Sequence, residues 1–156
     1  MMIKTALALG GNLGDVAGAF KTAAQKFEAA GMINIKLSRF HRTAPIGCAP
    51  GSPDFLNAAL TGEWSGAVEE LFGACQKIEC ESGRAAVHGI NAPRTLDIDI
   101  ILFGGRIIRS DTLRIPHFRA AQRLFVIAPL AEIAPEMIFP DTGKKVSDIF
   151  KSLRSG

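Results

Sequence analysis

Apolar and polar positions alternate over residues 3–9, the period of two expected of a half-buried strand. A turn rich in glycine follows over 10–15. Val16, Phe20, Ala23, Ala24, Phe27 and Ala30 then recur at helical spacing until Gly31, which predicts one amphipathic helix. Ile33, Ile35 and Leu37 return to alternation, giving a second strand that runs towards Thr43. Residues 45–53 hold three prolines and two glycines and are expected to form an irregular loop before a strand over 55–63. Val68, Leu71, Phe72, Cys75 and Ile78 form the stripe of a second helix. Ser65 is placed to cap it, Glu69 and Glu70 suit the dipole of its first turn, and it is expected to end near Ser82 and Gly83. A long loop with Arg84, His88, Gly89 and Asn91 leads to Ile98, Ile100, Ile101, Leu102 and Phe103, which mark a buried central strand. Phe103, Gly104, Gly105 and Arg106 read as a tight hairpin into Ile107 and Ile108. Short elements are expected over 125–130, and an amphipathic turn or two over 146–153.

The order strand, helix, strand, strand, helix, strand is that of a split βαβ unit. It predicts an α+β fold of the ferredoxin-like plan, a mixed or antiparallel sheet with helices packed on one face, plus a C-terminal extension. At 156 residues the whole of 1–156 is expected to form one domain.

Composition narrows the partners. With 47% hydrophobic and 21% charged residues the chain is globular rather than disordered. A net charge of +3 is too small for a nucleic-acid surface, yet it is compatible with a small polyanion held by a few arginines. Cys48, Cys75 and Cys80 form no Cys-x-x-Cys pair, so neither a disulfide framework nor a structural zinc site is indicated, and a reducing cytoplasm is expected. The first apolar stretch stops at Gly10 and Gly11, shorter than a secretory core, and no run approaches the roughly 18 residues of a membrane span. A soluble monomer acting on small molecules, with no membrane or nucleic-acid partner, is the expectation.

The chemistry concentrates in Pro93-Arg94-Thr95-Leu96-Asp97-Ile98-Asp99. On a strand, residues two apart share a face, so Asp97 and Asp99 project side by side, roughly 7 Å apart at Cα. Adjacent anions inside an apolar run call for a divalent cation, although a short Asp-x-Asp also fits one carboxylate paired with Arg94 and the other at a turn. Carboxylates for a metal, with guanidinium groups such as Arg84 and Arg94 for migrating charge, are the parts of a phosphoryl-transfer site. Gln76 and Glu79 lie three apart on one helix face, either towards a nucleotide or simply towards solvent. Phe55 and Asn57 share a strand face, and with Phe125 they would stack on a flat heterocycle and pair with its edge, unless they are only core and turn residues. His117 and Arg123 follow the hairpin, either to reach a polyphosphate or, as is commoner for a lone histidine, in a structural role. No P-loop or dinucleotide fingerprint is present.

Gly-Asn-Leu-Gly-Asp at 11–15, Phe-Leu-Asn-Ala at 55–58, Gly83-Arg84, the Pro-Arg-x-Leu-Asp-x-Asp segment at 93–99, Ile115-Pro116-His117 and Pro-Leu-Ala-Glu-Ile-Ala-Pro at 129–135 occur in order along the chain. Together they resemble the 6-hydroxymethyl-7,8-dihydropterin pyrophosphokinases of folate biosynthesis. The resemblance implies a Mg²⁺-dependent enzyme that moves a diphosphoryl group from ATP to the pterin hydroxymethyl group, leaving AMP. By that likeness Asp97 and Asp99 hold two Mg²⁺ ions, and Arg84 and Arg94 steady the diphosphate. Gln76, Glu79, Ile100, His117 and Arg123 line the ATP site, while Thr43, Ile46, Phe55, Asn57 and Phe125 form the pterin pocket. The chain departs from the family pattern at Ala86, where a second basic residue is common, at Ile90-Asn91, near a usual tryptophan, at Gly11 in place of serine, and at Phe55 in place of a frequent tyrosine. A palm-type Mg²⁺-dependent nucleotidyltransferase and a non-catalytic ferredoxin-like binding module are the competing readings.

Overall fold

The computed structural model describes residues 1–44, 51, 53–82 and 96–155. Strand β1 (Ile3–Gly11) leads through a turn to helix α1 (Val16–Ala29), followed by β2 (Ile33–Leu37), the short β3 (His41–Thr43), the long β4 (Phe55–Trp64) and helix α2 (Val68–Glu81). Strand β5 (Asp97–Phe103) completes the sheet. Its order is β2-β4-β1-β5, with β3 also pairing β4, and every one of these pairings is antiparallel. This is the order of the ferredoxin-like plan. It arises because each βαβ half returns its second strand two places from its first, leaving room between them for one strand of the other half.

Leu7, Leu9, Leu60 and Ile98 face α1 and α2, where Phe20, Phe27 and Leu71 complete a first apolar core. The opposite face is also covered. After β6 (Ile108–Arg109) and β7 (Arg114–Ile115), helix α3 (Leu124–Ile133), strands β8 (Ile138–Phe139) and β9 (Lys144–Lys145) and helix α4 (Val146–Ser155) follow. Ile127, Leu130, Val146 and Ile149 from α3 and α4 pack on Ala6, Ala59 and Ile101, a second core. The C-terminal extension is therefore a third layer, which the one-faced expectation did not include.

Several local expectations change. The glycine turn begins later, because Gly10 and Gly11 belong to β1, and Gly14 takes the positive φ of 74°. The Asp15 carboxylate caps α1 by accepting from the Gly18 N–H at 3.0 Å. Ser65 does not cap α2; the N-cap position is Ala67, whose side chain has no oxygen to offer. The second strand stops at Leu37 and resumes as β3, because Ser38 puts its Oγ on the Ala59 N–H at 2.9 Å and interrupts the ladder. Phe103 to Arg106 is a turn, with Arg106 N–H donating to the Phe103 carbonyl at 3.2 Å, but β6 pairs with β7 instead of returning along β5. Finally, β5 is the end strand of the sheet order and not a central one. Its apolar run reflects helices on both of its faces.

Candidate functional site

Register assembles the site on the α3 side of the sheet. Across β3, β4, β1 and β5, His41 pairs Asn57, Asn57 pairs Gly10, and Gly10 pairs Asp97. In the next row Ala59 pairs Ala8, and Ala8 pairs Asp99. The small residues Gly10 and Ala8 thus separate the carboxamide from the two carboxylates and leave an open floor. A β-bulge in β5 follows at once: Leu7 pairs Ile100 and Ala6 pairs Leu102, so Ile101 is the extra residue. Asp97 and Asp99 point to the α3 side, Ile98 and Ile100 to the α2 side. Asp97 is half-buried and Asp99 exposed, so the pair lines a cleft and is not sealed in a core as the apolar run suggested.

Three adjoining cavities share residues at this place. The first, about 560 Å³, lies between His41, Thr43, Phe55 and Asn57 on the sheet and Leu124, Phe125 and Ala128 on α3. A second, about 140 Å³, shares Phe55, Asn57 and Phe125 with it and adds Gly10, Asp97, Asp99 and Arg123. A third, about 230 Å³, shares Asp99 with the second and adds Phe72, Ile98, Ile100, Arg114, His117 and Phe118. Asp99 is the residue common to the last two.

Four of the five residues expected around the heterocycle, Thr43, Phe55, Asn57 and Phe125, are brought together in the first cavity. Asn57 is buried, and its amide donates to the Thr43 hydroxyl at 2.9 Å and to the His41 carbonyl at 3.4 Å. These bonds fix the amide so that its Oδ1 lies above Gly10, 3.5 Å from where a Cβ would stand. Phe125 is 41% exposed at the start of α3, and the Arg123 guanidinium lies 5.6 Å from its ring centre. Pro129 inside α3 has no N–H to offer the Phe125 carbonyl, which loosens the helix beside the site.

The residues expected around ATP divide. Ile100 and His117 share the third cavity, where the His117 ring stacks on Phe118 with centroids 5.3 Å apart. Arg123 lines the second cavity, with the carboxylates. Gln76 is exposed, and Glu79 is buried with its carboxylate accepting from the Ile98 N–H at 2.7 Å, which pins β5 between the two aspartates to α2. Neither is among the described residues lining these cavities. Arg84, Arg94 and Ile46 lie outside the described residues, as do Ala86 and Ile90-Asn91.

Two further electrostatic features border the site. Burial, with the nearby charges of Glu79 and Asp99, pushes the Cys75 thiol far above its usual range, so it is a core group and not a nucleophile. Burial alone would raise the Glu132 carboxyl on α3. Hydrogen bonds from the Arg39 backbone N–H, from His41 and from the Arg39 side chain outweigh it and hold the group below its ordinary 4.5. Among the described residues no cluster of three or more His, Cys, Asp or Glu side chains forms a metal cage, which leaves Asp97 and Asp99 as an oxygen pair.

Sequence reasoning missed Ala8, Gly10, His41, Leu124 and Ala128 as site residues. Only Gly10, a glycine beside a strand, carried a signal.

Comparison with known proteins gives the family. The family model for 7,8-dihydro-6-hydroxymethylpterin-pyrophosphokinase (HPPK) matches residues 6–135. The chain is 34% identical over 146 residues to the 2-amino-4-hydroxy-6-hydroxymethyldihydropteridine pyrophosphokinase of Synechocystis sp., covering 93% of this chain and 73% of that one. The enzyme of the same name from Haemophilus influenzae is 34% identical over 142 residues, with 90% and 88% covered. The chain is also 33% identical over 147 residues to the folic acid synthesis protein fol1 of Pneumocystis carinii, covering 94% of this chain but only 20% of that longer protein. Among solved structures, the Plasmodium falciparum HPPK-DHPS wild type with pterin and p-hydroxybenzoate superimposes with a TM-score of 0.72 at 12% identity, over 99% of this chain and 44% of that one. The chain thus spans less than half the length of that structure and a fifth of the fungal relative. On these matches the chain belongs to the 7,8-dihydro-6-hydroxymethylpterin-pyrophosphokinase family.

Proposed function

We propose that this chain transfers the diphosphoryl group of ATP to the hydroxymethyl group of 6-hydroxymethyl-7,8-dihydropterin, giving AMP and the pterin diphosphate in folate synthesis. Family membership supports the reaction. The observation that carries it at the level of residues is the position of Asp97 and Asp99, in the cleft that joins the aromatic cavity to the one walled by Ile100 and His117. A heterocycle on one side and a nucleotide on the other would meet at the carboxylates.

The pterin side needs flat apolar faces and a few fixed polar groups. Phe55 and Phe125 supply the faces, and Asn57, held by Thr43, supplies a carboxamide edge. Ile46 belongs to this pocket by family likeness. On the ATP side, Ile100 and His117 border the triphosphate path, with Gln76 and Glu79 assigned by the same likeness. Arg123, at the carboxylates, together with Arg84 and Arg94, would neutralise charge that moves from the transferring group to AMP.

Two carboxylates that offer only oxygen, and leave most of a coordination sphere to water and phosphate, suit Mg²⁺. Asp97 and Asp99 would hold it, with two ions expected, and when bound it would neutralise and orient the polyphosphate oxygens. We extend the proposal to one domain over 1–156, acting in the cytoplasm as a monomer on these small molecules, without a nucleic-acid or membrane partner. Among the described residues no helix is long and apolar enough to cross a membrane. No feature of the site favours the palm-type transferase or the non-catalytic module.

Incubation with ATP, Mg²⁺ and the hydroxymethyl dihydropterin is expected to release AMP in proportion to pterin diphosphate. Formation of ADP, or no turnover at all, would overturn the reading.

A further inference from the structure

The cavity between Phe55 and Phe125 has two walls that the chain makes separately. Helix α3 supplies Leu124, Phe125 and Ala128, and the three-residue strand β3 supplies His41 and Thr43. Among the described residues strand β3 pairs only with β4, so the ladder does not fix its distance from α3. One carboxylate spans that gap. Glu132 accepts from the His41 Nε2 and from the Arg39 backbone N–H at 3.1 Å, and its Oε2 lies 3.4 Å from the Arg39 Nε. Phe125, Ala128 and Glu132 are spaced i, i+3 and i+7, so the residue that grips β3 lies on the face of α3 that walls the cavity.

We infer that Glu132 and His41 are positioning residues, a clamp between α3 and β3 that sets the width of the heterocycle cavity and therefore the affinity for the pterin. The inference rests on the reading of that cavity as the pterin site. Any movement of β3 reaches the polar edge directly, because the Asn57 amide donates to both the His41 carbonyl and the Thr43 hydroxyl. It reaches the nucleotide side only indirectly, since neither Glu132 nor His41 is among the described residues lining the second or third cavity.

The test compares Glu132→Gln, His41→Ala and His41→Gln with the wild type. Loosened positioning of one substrate is expected to raise the KM for the dihydropterin about tenfold, with kcat and the KM for ATP within about twofold. His41→Gln, which keeps an N–H facing Glu132, is expected to recover most of what His41→Ala loses. An unchanged dihydropterin KM in Glu132→Gln, or a fall in kcat with both KM values rising together, would overturn the clamp. Should Glu132→Gln not fold, the two His41 variants decide by the same criteria. Dihydropterin affinity measured directly by fluorescence titration separates the two levels of the argument. Wild type that binds dihydropterin without releasing AMP overturns the proposed reaction, whereas full turnover with an unchanged Kd in Glu132→Gln overturns the clamp alone.

Discussion

In the proposed reaction Asp97 and Asp99 act from a cleft, and this position sets what their removal should do. Replacing one of two like charges sealed in a core would relieve desolvation and repulsion and so change stability, whereas Asp97 is half-buried and Asp99 exposed. Asp97→Ala is therefore expected to cost several kcal/mol of transition-state stabilisation, about a thousandfold in turnover, with unfolding free energy changed by no more than about 1 kcal/mol. Single-turnover AMP formation beside a urea titration measures both. Turnover close to wild type would remove the carboxylate from the reaction. Glu79 contrasts with this pair, because its buried carboxylate already holds the Ile98 N–H. Whatever it contributes to nucleotide binding, it also anchors the strand that presents the aspartates.

Helix α1 starts where the sequence says it should, because Asp15 accepts from Gly18 three residues on. Asp15→Ala is expected to destabilise the protein by about 1 kcal/mol, read as a lower urea midpoint with unchanged slope. Gly18→Ala would place its Cβ 2.3 Å from the Asp15 carboxylate, so the helix propensity gained at that position is offset by displacement of the cap. Helix α3 is the opposite case. Its residues Leu124–Ile133 are almost all apolar and include Pro129, so no polar face reveals a period and the proline argues for a break. It forms because the second face of the sheet needs a cover, and Val126, Ile127 and Leu130 provide it.

For the molecule as a whole, α3 joins the sheet through the second core and through Glu132, whose partners are Arg39 and His41. The folded-state value of that carboxyl lies below 4.5, so the unfolded chain takes up the proton first. The stabilisation is fully present above 4.5 and disappears as pH falls through the lower folded value. The difference in melting temperature between wild type and Glu132→Gln is accordingly expected to shrink on acidification below 4.5, as followed by calorimetry; a difference unaffected by that acidification would contradict it. The strand and helix order, the first amphipathic helix, and the side-by-side aspartates follow from the chain itself, since periods of two and 3.6 are local properties that one segment displays alone. Phe55 with Asn57 was equally legible as a shared face. That β5 ends the sheet, that β6 turns away from it, that Gly10 and Ala8 form a floor between Asn57 and Asp97, and that Glu132 meets His41 across 91 residues were decided only by tertiary structure. Strand neighbours and helix docking depend on which distant surfaces bury one another, and a period along the chain carries no information about that partner.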